Sequence, residues 1–522
     1  MSGSEARQPQ DGRRRIVIVG GGSTGWIAAA ALGRQLRRER YDVTLIESSD
    51  IGTIGVGEAV IPPFVTFVRN LGLNEQTFIQ RTQASFKLGI QFRNWLQRDH
   101  VYFHHFGALG RSLDGHDFLH CWLKARQNGD TADLMDYAPA AVMARYRRFF
   151  LPFKLPSESA FSEAAYAYHF DAGLVGRHLR DFAEHRGVRR IDARVTEVAL
   201  DDTGAIRALQ LDDGSEVCAD LFLDCSGFRG LLIEGALKTP YESWKKYLPC
   251  DRAVAVQTSH AGEIPPYTIS TARDAGWTWR IPLQHRVGNG YVFSGDHCSD
   301  QDAVDTLLDA VDGEPLHEPR VIPFRTGMRD ALWSRNCVAL GLAGGFLEPL
   351  ESTAIHIVTR GVQFLLELFP NLDVGHEHWA GLAREYNERM RRDYEEIRDF
   401  IILHYCVTRR DDTEFWRLCR SLPRPESLNE KIDLFAERGE LRIIDDGLFK
   451  QPSWQAVLTG MGVIPERYHP FVDMSDFAGI HSAMQAARGH LDEAARTLPR
   501  HHEFLAEHCP AEPDPFLERS GD

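Results

Sequence analysis

A glycine cluster set between an apolar strand and an alanine-rich helix constrains this chain more than any other feature. Residues 15–20 (RIVIVG) are a short β-branched run and read as a buried strand. Gly20-Gly21-Gly22-Ser23-Thr24-Gly25 follows and fits GxGxxG. Residues 26–38, rich in Ala and Leu, read as a helix, and 42–47 (DVTLIE) as the next strand. Glycines there permit a tight turn and let backbone N–H groups approach a pyrophosphate at the helix N-terminus. Glu47 closes the second strand, 22 residues past Gly25, where a carboxylate can bond an adenosine ribose. The unit predicts a dinucleotide-binding α/β fold. The alternative is a glycine turn that only packs helix on strand.

Three further features favour FAD over NAD. The fingerprint lies near the start of a 522-residue chain. A second strand-to-turn segment, 220–230 (DLFLDCSGFRG), returns far downstream, as in split flavin domains. A third glycine turn, 341–346 (GLAGGF), precedes a helix and suits the flavin end. The Gly- and Pro-rich stretch 50–63 reads as a functional loop. Its Val56, Gly57, Glu58 and Ala59, with Val195 and Gly341, complete the candidate FAD contacts. No second fingerprint for a nicotinamide is present; Gly288 and Gly290 fall between apparent strands. Reduced flavin is therefore expected from a separate NAD(P)H-dependent reductase.

The net charge of −15, from 59 basic and 74 acidic residues, argues against a nucleic-acid partner, which needs basic patches. Nine scattered cysteines with no CxxC pair point to reduced thiols in a cytoplasmic protein, without disulfides or a metal site. No signal peptide is expected from the start of the chain, and no run of 18 apolar residues suggests a membrane span. The expected plan is a flexible 1–14, an FAD-binding Rossmann-like domain of flavoprotein monooxygenase type over 15–375, a helical substrate lobe over 376–508 and a disordered tail over 509–522. Substrate-site segments are embedded at about 85–160. Residues 66–100 read as mostly helical, ending in 86–95, and 380–405 reads as one charged, solvated helix.

Four motifs then resemble the tryptophan-halogenase family of flavin-dependent halogenases: GGGSTGW (20–26), SFKLGIQFRNW (85–95), WTWRIP (277–282) and EPLEST (348–353). IGVGEA (54–59), DCSGFRG (224–230) and GMGVIPERYHP (460–470) support the resemblance, which spans about 15–475. It implies that reduced FAD and O₂ oxidise chloride or bromide to hypohalous acid, which travels to a separate arene site. Lys87 is implied as the lysine that holds the oxidant, since an ammonium can hydrogen-bond it and a free amine can capture it. Glu351 is implied as the carboxylate that stabilises the cationic ring and takes its proton. These two stand 264 positions apart, so only the fold can bring them together. Thr353 and Ala354 open the next helix and are implied as the halide site. The family usually has glycine where Ala354 stands, so the added methyl bears on halide preference. Trp277 and Trp279 are implied to line the path between flavin and arene.

His104 and Phe106 match the family's aromatic-sandwich segment, and Trp454 lies in its substrate lobe. The tryptophan-specific pattern breaks before Trp454. The stretch 437–452 (ERGELRIIDDGLFKQP) has no Tyr-Tyr and no Phe-Trp pair. A pocket without that clamp is expected to take indole, a substituted indole or a larger indole-bearing molecule. The alternatives are an aromatic monooxygenase and a flavin-binding protein without turnover. A homodimer is an open possibility.

Overall fold

The computed structural model describes residues 12–50, 57–156 and 159–512. The fingerprint strand Arg14–Val19 lies inside a six-stranded sheet, parallel to Tyr41–Glu47 on one side and Leu221–Asp224 on the other. Arg189–Asp192 and Cys337–Ala339 extend the sheet in parallel, and Trp333–Ser334 closes one edge antiparallel. A parallel strand covered on both faces reads as a near-continuous apolar run, and after Arg14 and Arg15 the residues Ile16 to Val19 are all buried. Helix Ser23–Gln35 leaves the end of that strand, and Trp26 to Leu32 are buried on every face, because the helix packs between sheet and neighbouring helices. The parallel sheet and its crossover helices are the expected Rossmann-like core.

A second sheet of seven strands carries the motifs that define the chemistry. Its order runs from Arg320–Pro323 through Arg252–Thr258, Val287–Phe293, Gly276–Pro282, Thr268–Arg273 and Gly89–Arg93 to Val101–His105. The Trp277/Trp279 strand and the His104 strand therefore share one sheet. Gly290 makes this sheet possible: a Cβ there would meet the Trp279 ring at 2.1 Å, so the glycine is the floor on which the indole lies.

Residues 85–93 correct the helical expectation for 66–100. Helices Pro63–Leu71 and Glu75–Arg81 are present, but Ser85–Lys87 and Gly89–Arg93 are strands. Phe86, Leu88, Ile90 and Phe92 alternate with a period of two, all buried, and that alternation specifies a strand. Lys87 is thus a strand residue. Ser85–Lys87 pairs antiparallel with Ala167–Phe170, whose other edge pairs with Glu58–Ala59 from the cofactor loop.

Helix Ala380–Cys406 is the second correction. Its charged first half is amphipathic, but every residue from Glu396 to Cys406 is buried. It is the spine of the C-terminal helices, and one apolar core runs without a break from Ile16 to Cys509. The tail expected to be disordered from 509 packs over its first residues: Cys509 is buried, and the Ala511 and Glu512 N–H groups donate to Gln284 Oε1 and the Gln80 carbonyl. At the other end, Arg14, expected in the flexible start, opens the first strand and pairs with Asp373.

Candidate active site

A cavity of about 1040 Å³ opens at the C-terminal ends of the parallel strands. Its size is at the upper end of the roughly 300–1,000 Å³ of small-molecule and cofactor sites. Gly20, Gly22, Ser23, Thr24 and Glu47 line one end, and Gly57, Glu58, Ala59, Val195 and Gly341 also border it. Gly25 lies behind, where a Cβ would strike the Gly20 carbonyl. Val56 lies outside the described residues. The Gly20 backbone has φ +115°, and a Cβ there would sit 2.2 Å from the Cys225 carbonyl, so only glycine makes this turn. Arg190 holds the Glu47 carboxylate at the adenosine end.

The residues fit a flavin dinucleotide. The fingerprint helix begins at Ser23 with no side-chain cap, which leaves its first N–H groups free to meet a pyrophosphate. A Cβ on Gly22 would have nothing within 4 Å, so the cradle is open there. Trp277 and Trp279 also line the cavity, and Trp279 Nε1 is a buried donor without a partner. Burial pushes the Glu58 carboxyl up to about 7.

Adjoining the cavity at Ser352 is a buried cluster of charged side chains. Lys87 is fully buried and donates to Ser352 Oγ at 2.7 Å. Its Nζ also sits 5.3 Å from the Phe106 ring centroid, a cation–π distance. Burial lowers its pKa to about 7, against the pull of the nearby Glu351 charge. Glu351, also fully buried, accepts from His104 Nδ1 at 2.8 Å on Oε2. His404 Nε2 approaches Oε1 at 3.0 Å. Burial pushes Glu351 upward, but the two imidazoles outweigh it and hold the carboxyl at about 2. The fold thus brings Lys87 and Glu351 to neighbouring positions around Ser352, whose φ of +60° is rare for a residue with a side chain. Ser352 lines the cavity while its hydroxyl binds Lys87, so it stands between the cavity and the buried lysine.

Thr353 caps helix Ala354–Glu367 without a side-chain bond, and its buried Oγ1 has no partner. Ala354 lines the cavity, and the helix has no acidic residue in its first turn. His104 carries a bond that the sequence reading did not assign, to Glu351. Its ring also lies 6.3 Å from Phe106, 5.5 Å from Phe400 and 6.2 Å from Phe449. Trp454 meets Phe400 edge-on at 4.8 Å. Phe449 stacks on Phe400 at 3.7 Å, so the short stretch before Trp454 supplies an aromatic wall of its own.

Sequence reasoning missed His404, Ser352 and Phe449. His404 was readable as an ionisable group inside an apolar run (FIILHY), a pattern that asks for a buried partner. Ser352 lies within the EPLEST motif without an assigned role. Among the described residues, no group of three or more His, Cys, Asp or Glu is arranged to hold a metal ion.

With this geometry in hand, the comparisons are consistent with one another. The tryptophan halogenase family profile matches residues 15–476. The chain is 44% identical to BrvH, a flavin-dependent halogenase from Brevundimonas sp. BAL3, covering 96% of this chain and 100% of that one with a TM-score of 0.90. For Xcc4156, a flavin-dependent halogenase from Xanthomonas campestris, identity is 43%, coverage 96% and 100%, and TM-score 0.91. A tryptophan 6-halogenase, SttH, from Streptomyces toxytricini is 35% identical over 525 residues, 94% of this chain and 98% of that protein. The chain belongs to the tryptophan halogenase family of flavin-dependent halogenases, which are oxidoreductases. Among the described residues no helix is long and apolar enough to cross a membrane.

Proposed function

We propose that this protein halogenates an indole-type arene, using FADH₂ delivered by a separate NAD(P)H-dependent reductase, O₂, and chloride or bromide. The observation that carries the proposal is Ser352, which borders the cofactor cavity on one side and binds Lys87 on the other. Bound reduced flavin, with O₂, supplies the oxidising power that turns a halide into an electrophilic halogen. The fingerprint glycines, Ser23, Thr24 and Glu47 hold the adenosine and pyrophosphate end; Gly57, Glu58, Ala59, Val195 and Gly341 enclose the rest. The N–H groups at Thr353 and Ala354 hold the halide. Trp277 and Trp279 keep the arene off the flavin. The domain division at about 375 follows these roles, with the C-terminal helices supplying the arene side, and the protein works in the cytoplasm.

Lys87 receives the halogen in a pocket without bulk water. With a pKa near 7 it is available both as an ammonium that polarises the oxidant and as an amine that captures it. Glu351 stays ionised because two histidines stabilise it, so its charge faces the ring cation and its oxygen can accept the ring proton. His104, Phe106 and Trp454, joined by Phe449, form the aromatic wall for the arene.

A panel of arenes that includes indole, substituted indoles and free tryptophan tests the reading. It is run with FAD, a reductase, NADH and each halide separately. A bromide isotope pattern in the indole product, with kcat/KM for indole above that for tryptophan, is the expected result. A +16 product would mean a monooxygenase, and no product would mean a flavin-binding protein. The chloride and bromide arms read out the effect of the Ala354 methyl.

A further inference from the structure

One buried carboxyl remains outside this scheme. Glu348 is fully buried, three residues before Glu351 in the same turn. Its Oε2 accepts from two donors at once, Trp277 Nε1 at 2.7 Å and Tyr405 Oη at 2.6 Å. Its Oε1 has no partner. Burial pushes the carboxyl up to about 7, against those two hydrogen bonds. Neither donor carries a charge, so the group gains little of what usually offsets burying a carboxylate.

The positions of the two donors explain why the arrangement matters. Trp277 stands in the cavity wall, 6.1 Å from Trp279 and 6.3 Å from Trp95 between ring centroids. Tyr405 follows His404 in helix Ala380–Cys406, and His404 is the residue that approaches Glu351. Two carboxyls in one turn therefore hold two consecutive residues of one helix. One of them also binds the cavity wall, and the other the arene-side histidine. The indole N–H bond gives the buried Trp277 ring a directional contact beside its packing against Trp95 and Trp279.

Building on the halogenase reading above, we infer that Glu348 is a positioning residue that locks the Trp277 ring into the partition between the two compartments. With the ring locked, the oxidised halogen passes to Lys87; with the ring loosened, it escapes to water.

The test uses the full chain with saturating FAD and reductase-supplied reduced flavin. It measures the ratio of halogenated product to reduced flavin consumed. Glu348→Leu is expected to lower this ratio at least fivefold while FAD affinity stays within about twofold. Glu348→Gln, which still presents a carbonyl oxygen to both donors, is expected to keep at least half of it. Added to Trp277→Phe, Glu348→Leu is expected to cause no further loss, because it acts through a ring bond already removed. Full additivity in that double variant, or an unchanged ratio in Glu348→Leu, would overturn the inference. If Glu348→Leu does not fold, Trp277→Phe alone decides: a lowered ratio supports the lock, an unchanged one refutes it. A wild-type protein that halogenates nothing contradicts the halogenase reading itself, before any variant is compared.

Discussion

The cofactor cavity and the lysine compartment are built by opposite means. The cavity is a backbone device: glycines, a strand end and an uncapped helix start, with side chains removed where a ligand must come close. The lysine compartment is a side-chain device, with Lys87, Glu351, His104 and His404 drawn from four distant segments and buried together. The first is gathered from separate segments, as where the Gly20 turn closes against Cys225, but it works through backbone. The second depends on the fold as a whole, because an unpaired buried charge costs several kcal/mol. Ser352 is the place where the two meet.

The contrast predicts that damage on each side stays on that side. In the proposed mechanism Glu351→Gln removes the charge assigned to the ring cation, and product formation should fall about 10²- to 10⁴-fold, the usual worth of a positioned acid or base. FAD affinity, measured by fluorescence titration, should stay within about twofold. An equal loss of FAD binding would merge the two compartments. Gly20→Ala does the reverse. Its Cβ would meet the Cys225 carbonyl at 2.2 Å in a left-handed turn, so a cost of about 2–4 kcal/mol is expected. Thermal unfolding with and without FAD should show the loss of cofactor stabilisation. A variant that binds FAD normally would show that the turn is not part of the cradle.

The smallest effect sharpens the contrast through acid. The Glu351 carboxyl is held at about 2 in the folded chain, against 4.5 for an ordinary glutamate. Its contribution to stability is therefore complete above about pH 4.5 and is lost as pH falls toward 2. Glu351→Gln should unfold with a flatter pH dependence over that window than the wild type. Parallel curves would mean that the histidines do not stabilise the charge.

Legibility in the sequence follows the same division. The strand, glycine turn, helix and acidic strand end lie within 34 residues, 14–47, and local pattern was sufficient to find them. The short motifs marked Lys87, Glu351, Trp277 and Trp279, but not how they meet. At 85–93 the period-two alternation of Phe86, Leu88, Ile90 and Phe92 was masked by charged neighbours, so a strand read as a helix. At 380–406 the charged first half hid a buried second half, and His404 with it. Phe449 was unreadable for a different reason: its stacking on Phe400 is a contact across 49 residues, set by packing of helices and not by any local signal.

Lys87→Ala is the most direct test of the central claim, with halogenated product and reduced-flavin oxidation followed together in a single turnover. Oxidation of the reduced flavin at a rate within about twofold of wild type, with product lost, is the predicted result. Halogenation at close to the wild-type yield would contradict the account, because the halogen would then reach the arene without the buried amine.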